Sequence, residues 1–180
     1  AHFAPAFEVA MAEHRAQIDA MANAPEAPTF ANTLVAFDQS GKSLTRVSLL
    51  FDNLCSSETS SALQAVERDM AQPLAAHFNA IYLDAGLFAR IDAVYAARSS
   101  LELDGEQLRL VERIHLDFVR SGAKLSGESR ARYAAITEKL AELTTLFSQN
   151  VLADESGFQL VLRDPADLAG RVRGRRVFAG

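Results

Sequence analysis

The sequence contains one cysteine, Cys55, so an internal disulfide framework is excluded. A lone thiol fits a reducing compartment, and without a basic neighbour to favour the thiolate it reads as a small packed side chain. No apolar run approaches the roughly 20 residues that span a bilayer. The N-terminus, Ala1-His2-Phe3, has no basic head, no hydrophobic signal core and no initiator Met, and reads as a trimmed edge. No repeat of 20–50 residues and no low-complexity segment occurs.

Basic charge is scarce over most of the chain. Residues 171–180 hold Arg171, Arg173, Arg175 and Arg176 and no acid, so the 14 basic and 23 acidic side chains before them sum to −9. Such an acidic body argues against nucleic-acid binding, which needs basic surface to displace counterions.

Catalytic motifs are missing as well. The histidines are His2, His14, His77 and His115, and no two are four apart. Glu13-His14 finds no second histidine four residues to either side of His14, so no H-E-x-x-H helix is present and no zinc site follows from the sequence. Glu112 and His115 have the i, i+3 spacing of di-iron bundles, but a second pair and two more inward glutamates are lacking. A helical histidine with a local carboxylate partner is the reading adopted. Neither a G-x-S-x-G elbow nor a glycine-rich phosphate loop is present. The acid pairs Glu67/Asp69 and Asp154/Glu155 read as solvated surface. No residue is therefore put forward as catalytic, cofactor-binding or metal-ligating.

What is abundant is helical periodicity in a chain that is 49% hydrophobic and 23% charged, with length enough to bury a core. Phe3, Phe7, Met11, His14, Ile18 and Met21 share one face of a first helix that should end near Asn23, before Pro25 and Pro28. Thr29 can cap a second, whose strip runs Phe30, Leu34, Phe37, Gly41, Leu44, Val47, Phe51 and Leu54. One long helix with a close crossing at Gly41 is expected; a break at Ser40-Gly41 is the competing reading. After a polar stretch from Cys55 to Ser61, Leu63, Val66, Met70, Leu74, His77 and Ile81 fall in phase, with a kink expected at Pro73. Asp84 can cap a helix bearing Leu87, Phe88, Ile91, Val94 and Tyr95. Asp104 with Gln107 has capping-box spacing and opens a helix with Leu108, Val111, His115 and Phe118 inward, stopped at Gly122. Ser126 begins the last long helix, with Tyr133, Ile136, Leu140, Leu143, Phe147 and Val151 as its inward strip and Gly157 as its end. The fold class is all-α, a multi-helix bundle or layered array, with at most one short strand at 158–162. Asp164-Pro165 reads as a cap and first-turn proline. Residues 1–157 form the helical domain, 158–170 a strand and turn, and 171–180 a basic tail.

Several stretches carry a resemblance: HFAPAFEVAM at 2–11, NTLVAFDQSGKSLTRV at 32–47, IYLDAGLFARIDAVY at 81–95, LRLVERIHLDFVRSGAKL at 108–125 and LTTLFSQNVL at 143–152. In order and spacing they resemble the start of bacterial peptidyl-dipeptidases, within the neurolysin and thimet oligopeptidase family of zinc metallopeptidases. VSLLFDNL at 47–54 and the segment at 108–125 are closer to that branch than to oligopeptidase A. The resemblance covers about residues 2–170. It implies a neurolysin-like helical region and a cytoplasmic enzyme several times longer that takes dipeptides from peptide C-termini. Its zinc and H-E-x-x-H helix would lie in the later half, so no cofactor is expected on this stretch. The partners implied are an oligopeptide substrate and the catalytic part of the same enzyme, with no membrane and no nucleic acid. This stretch would supply one wall of the channel that admits unfolded peptides, inactive alone and prone to self-association. After Gly170 the sequence departs from the family's usual Gly-Leu-Pro-like turn. An oligopeptidase A-like role or a self-standing helical module that binds a peptide or helix is the alternative. A metal- or haem-binding bundle would rest on Glu112 and His115 alone.

Overall fold

A computed structural model describes residues 2–159 of the chain. They form an all-α array: α1 (Phe3–Ala22), a π-helical turn (Phe30–Val35), α2 (Ala36–Asp38), α3 (Lys42–Ser57), α4 (Ser61–Tyr82), α5 (Ala85–Ala97), α6 (Gly105–Arg120) and α7 (Gly127–Gly157). No strand occurs among the described residues. Of the strand expected at 158–162, only Phe158 and Gln159 fall within them, and neither is in a strand. The rest of that segment, the Asp164-Pro165 turn and the basic tail lie outside the described residues.

Local chemistry explains most of the boundaries. α1 stops at Asn23, two residues before Pro25. Thr29 and Asn32 make a capping box, each side chain accepting from the other's backbone N–H at 3.1 and 2.7 Å. Ser60 caps α4 and Asp84 caps α5, each through the backbone N–H three residues on. Asp104 and Gln107 make a second box at α6, which ends before Gly122 at φ +89°. α4 continues unbroken across Pro73.

α1 is the shared element. Its buried face, Phe7, Ala10, His14 and Ile18, serves two apolar cores. Phe7 and Ala10 pack with Leu44, Phe51 and Met70 from α3 and α4. Ile18 joins Leu34, Ile81, Leu87, Ile91, Val94, Val111, Ile114 and Phe118. Arg90, also buried, donates to the carbonyls of Ala24 and Glu26 at 3.0 and 2.9 Å and so ties down the loop after α1. Those carbonyls would otherwise compete with water, and each bond is worth about 1 kcal/mol or more because the donor is charged.

Two expectations need correction. The long helix through Gly41 does not form: the π turn runs into α2, which ends at Asp38, a turn follows at Gln39 and Ser40, and α3 starts afresh with Gly41 as its N-cap at φ +65°. The close crossing is real, however. A Cβ at Gly41 would lie 2.8 Å from the His14 ring, and the Gly41 N–H donates to Gln17 Oε1 at 2.9 Å. The turn is thus the place where α1 presses on the chain too tightly for a side chain.

The second correction concerns α7, whose apolar strip faces solvent instead of the core: Ile136, Leu140, Leu143, Phe147 and Val151 are all exposed. The helix packs on α4 through its other, polar side. Asn79 bonds Thr137 Oγ1 at 2.8 Å and the Ala134 carbonyl at 3.2 Å. Further along, Gln149 bonds Glu67 at 2.6 Å, the Gln64 carbonyl at 3.0 Å, and Arg68. Periodicity locates an apolar face correctly but does not say what covers it.

Alanine at Gly41 must accept a left-handed backbone and displace the His14 ring. Gly41→Ala is expected to lower unfolding stability by roughly 2–4 kcal/mol in a denaturant titration. Gly105→Ala, with open space around it, should be neutral or stabilising by up to about 1 kcal/mol. Equal effects at the two sites contradict the close approach.

Candidate functional site

Folding brings together two histidines that lie 63 residues apart in sequence. His14 on α1 and His77 on α4 face each other, Nδ1 of the first 3.1 Å from Nε2 of the second. His14 Nε2 lies 3.2 Å from Ser40 Oγ, and Ser40 Oγ donates to the Phe37 carbonyl at 2.7 Å. Beside them a cavity of about 210 Å³ is lined by His14, Ser40, Leu44, Thr45, Leu49 and Phe78, among others.

A serine next to a histidine invites comparison with a nucleophile and its base. Proton bookkeeping rejects it. The Phe37 carbonyl can only accept, so the single Ser40 hydrogen lies between the two oxygens. Ser40 Oγ must then accept from His14 Nε2–H, which leaves His14 Nδ1 to accept from His77 Nε2–H. Both rings are neutral donors, and His14 donates a hydrogen bond to the hydroxyl instead of accepting one from it. That is the reverse of what nucleophile activation requires.

Titration agrees. Burial pushes the His14 pKa below its ordinary 6.5. His77 is pushed down to about 4, first by burial and then by repulsion from a protonated His14 and from Arg15. Two imidazolium rings could not share this contact, because their facing nitrogens would both be donors.

The residues singled out from sequence are dispersed. His2 is exposed. Cys55 is half-buried on α3, its thiol pKa raised by burial and by Glu67 and Asp52, so it stays protonated. Glu112 and His115 do not act together. His115 takes its carboxylate from the next helix, Asp92 Oδ1 at 2.8 Å, and stacks on Tyr95 with ring centroids 3.7 Å apart. Glu112 instead faces Arg109 at 4.0 Å. The carboxylate partner is therefore Asp92 on α5, not a neighbour on α6. Asp69, Asp154 and Glu155 are solvated as expected. Glu67 is not: it is half-buried and held by Gln149 of α7.

Among the described residues no three His, Cys, Asp or Glu side chains converge where they could hold a metal. His14 and His77 spend their facing nitrogens on each other. The described residues thus offer no set of side chains that fits a zinc site. The cavity is also smaller than the roughly 300–1,000 Å³ of ligand pockets. A wider open groove of about 670 Å³ lies between α4, α7 and the start of α5. Its cations are committed within the fold, Arg15 to Asp19, Asp84 and the Ala80 carbonyl, and Arg130 to the Leu125 carbonyl.

No family model matches the chain. Across 169 residues, 94% of the chain, it is 43% identical to the dipeptidyl carboxypeptidase of Escherichia coli K12 and 42% identical to that of Salmonella typhimurium. The chain is similar to bacterial dipeptidyl carboxypeptidases. Similarity to the oligopeptidase A of Haemophilus influenzae is weaker, 26% over the same length. The chain spans 25% of the length of each of these relatives. The closeness to dipeptidyl carboxypeptidase therefore extends along nearly all of this chain, while three quarters of the relatives lie beyond it.

The signal that could have found the histidine pair was present in the sequence. His14 and His77 each sit in phase on an apolar strip, and a buried imidazole needs a polar partner.

The pH dependence has a definite sign. Unfolded, His77 has its ordinary pKa of 6.5; folded, about 4. Below 6.5 the unfolded chain takes up a proton that the fold refuses. This contribution is complete above 6.5 and is lost as pH falls towards 4, by about 1–3 kcal/mol. His77→Leu should flatten part of the fall in denaturation midpoint between pH 7 and 4. Parallel pH profiles for the two proteins contradict the assignment.

Proposed function

We propose that this chain is the N-terminal, channel-forming part of a zinc metallopeptidase that removes dipeptides from the C-termini of oligopeptides in the cytoplasm. The observation that carries this reading is the 43% identity to a dipeptidyl carboxypeptidase along 94% of the chain and only 25% of the relative. The zinc ligands and general base then belong to other parts of the polypeptide. No catalytic, cofactor-binding or metal residue is assigned to this stretch.

The geometry supports a structural share in the work. Ser40 and His14 are locked in a hydrogen-bond direction that cannot activate a nucleophile. The cavity beside them, about 210 Å³, is smaller than ordinary ligand pockets. A helical array of this kind restricts access by shape, so that a flexible peptide enters and a folded protein does not. Its partners are the peptide and the remainder of the enzyme. The lower identity to oligopeptidase A makes an endopeptidase role the weaker reading.

The test is direct. The purified 180-residue chain is expected to hold no stoichiometric zinc after incubation with the metal and dialysis, and to release no dipeptide from a blocked tripeptide. Stoichiometric zinc together with chelator-sensitive turnover would place the chemistry here and overturn the assignment.

A further inference from the structure

The turn between α2 and α3 is rooted at both ends and fastened in the middle. Before it, Phe37 packs on Phe118 and Tyr82, with ring centroids 5.2 and 6.4 Å away; after it, Leu44 is buried in the other core. Between them Asp38, Gln39, Lys42 and Ser43 are exposed. Ser40 and Gly41 reach α1, the first at His14 Nε2 and the second through its N–H to Gln17 Oε1. The His14 ring also occupies the space over Gly41.

We propose that the His77–His14–Ser40 chain is an acid-operated latch, in which a proton taken up by the imidazole pair releases the turn 38–43 from α1 while Phe37 and Leu44 stay in their cores. Every hydrogen in the chain runs one way, from His77 Nε2 to His14 Nδ1, from His14 Nε2 to Ser40 Oγ, and from Ser40 Oγ to the Phe37 carbonyl. A proton added at His14 Nδ1 sets two donors face to face at 3.1 Å and breaks the chain at its centre. The ring cannot then swing aside without driving into Gly41, so the turn must lift. A proton added at His77 Nδ1 instead places a cation in a half-buried site beside Arg15. The neighbours relieve neither charge. α2 and its turn present the Phe37 carbonyl and the Ser40 hydroxyl; α3 presents Leu44, Thr45 and Ser48; α4 presents Phe78. On α1, Arg15 acts on His77, and it repels. Asp38 and Lys42 of the turn, and Glu138 of α7, which bonds Asn79, act on neither ring. With the turn lifted, His14 meets water and recovers its ordinary basicity, so opening is coupled to proton uptake. Beyond a general loss of stability in acid, the latch assigns the first event to one turn. It is independent of the peptidase reading.

Amide hydrogen exchange of the 180-residue chain from pH 7 to 5 tests it, with each rate referred to its unstructured value at that pH. The Gly41 amide is expected to open more often than those of Val111 and Phe118 in α6 at every pH. Its opening constant should rise about tenfold for each pH unit below 6. In His77→Gln the side-chain amide donates to a neutral His14 Nδ1 and, turned over, accepts from a protonated one. The rise should then shrink to less than about threefold per unit. Nitrogen NMR of the unaltered chain at pH 7 should show both rings protonated on Nε2. Gly41 opening that ignores pH, or that equals the opening of α6, overturns the proposal. So does an unchanged pH response in His77→Gln, or a His14 ring protonated on Nδ1 at pH 7.

Discussion

The hydrogen-bonded run from His77 through His14 to Ser40 lies where the two apolar cores meet. On α1, His14 falls between Ala10 of one core and Ile18 of the other. On α4, His77 falls between Met70 and Ile81, and Ser40 falls between Leu34 and Leu44. Each of the three segments therefore crosses from one core to the other at a polar residue, and the three polar residues satisfy one another. Leaving any one buried without a partner would cost about 1–3 kcal/mol. Gly41 follows from the same contact, since the ring of His14 occupies the space a side chain would need. The break between α2 and α3 is thus a consequence of fitting α1 against α4 with a neutral imidazole pair between them.

Most of the helices could be read from local chemistry because their signals are local. Thr29, Asp84, Asp104 and Gly122 act within three or four residues of themselves, and each has the role its spacing implies. The failures involve contacts distant in sequence. Gly41 was legible as a close approach but not as a break, because the turn is fixed by His14 and Gln17, more than 20 residues away. His115 showed its need for a carboxylate but not that Asp92 would supply it. The histidine pair was visible only as two in-phase positions on separate strips. The α7 strip was legible as apolar and misleading as inward, since hydrogen bonding of Asn79 and Gln149 decides which side of that helix meets α4.

Under the proposed function, the share of this chain in a peptidase is architectural. A neutral, internally committed imidazole pair joins the two cores at their junction. The cations of the open groove are likewise committed within the fold. Among the described residues, what faces outward includes an apolar face of α7. Similarity to dipeptidyl carboxypeptidase along nearly the whole chain, over a quarter of that relative's length, accords with a division of labour within one polypeptide.

The measurement closest to that claim is the nucleotide sequence downstream of the codon for Gly180. A piece of a dipeptide-releasing zinc enzyme should be followed by an open frame that encodes an H-E-x-x-H helix. A native stop codon at that point, with no such helix encoded in continuity, would contradict the claim.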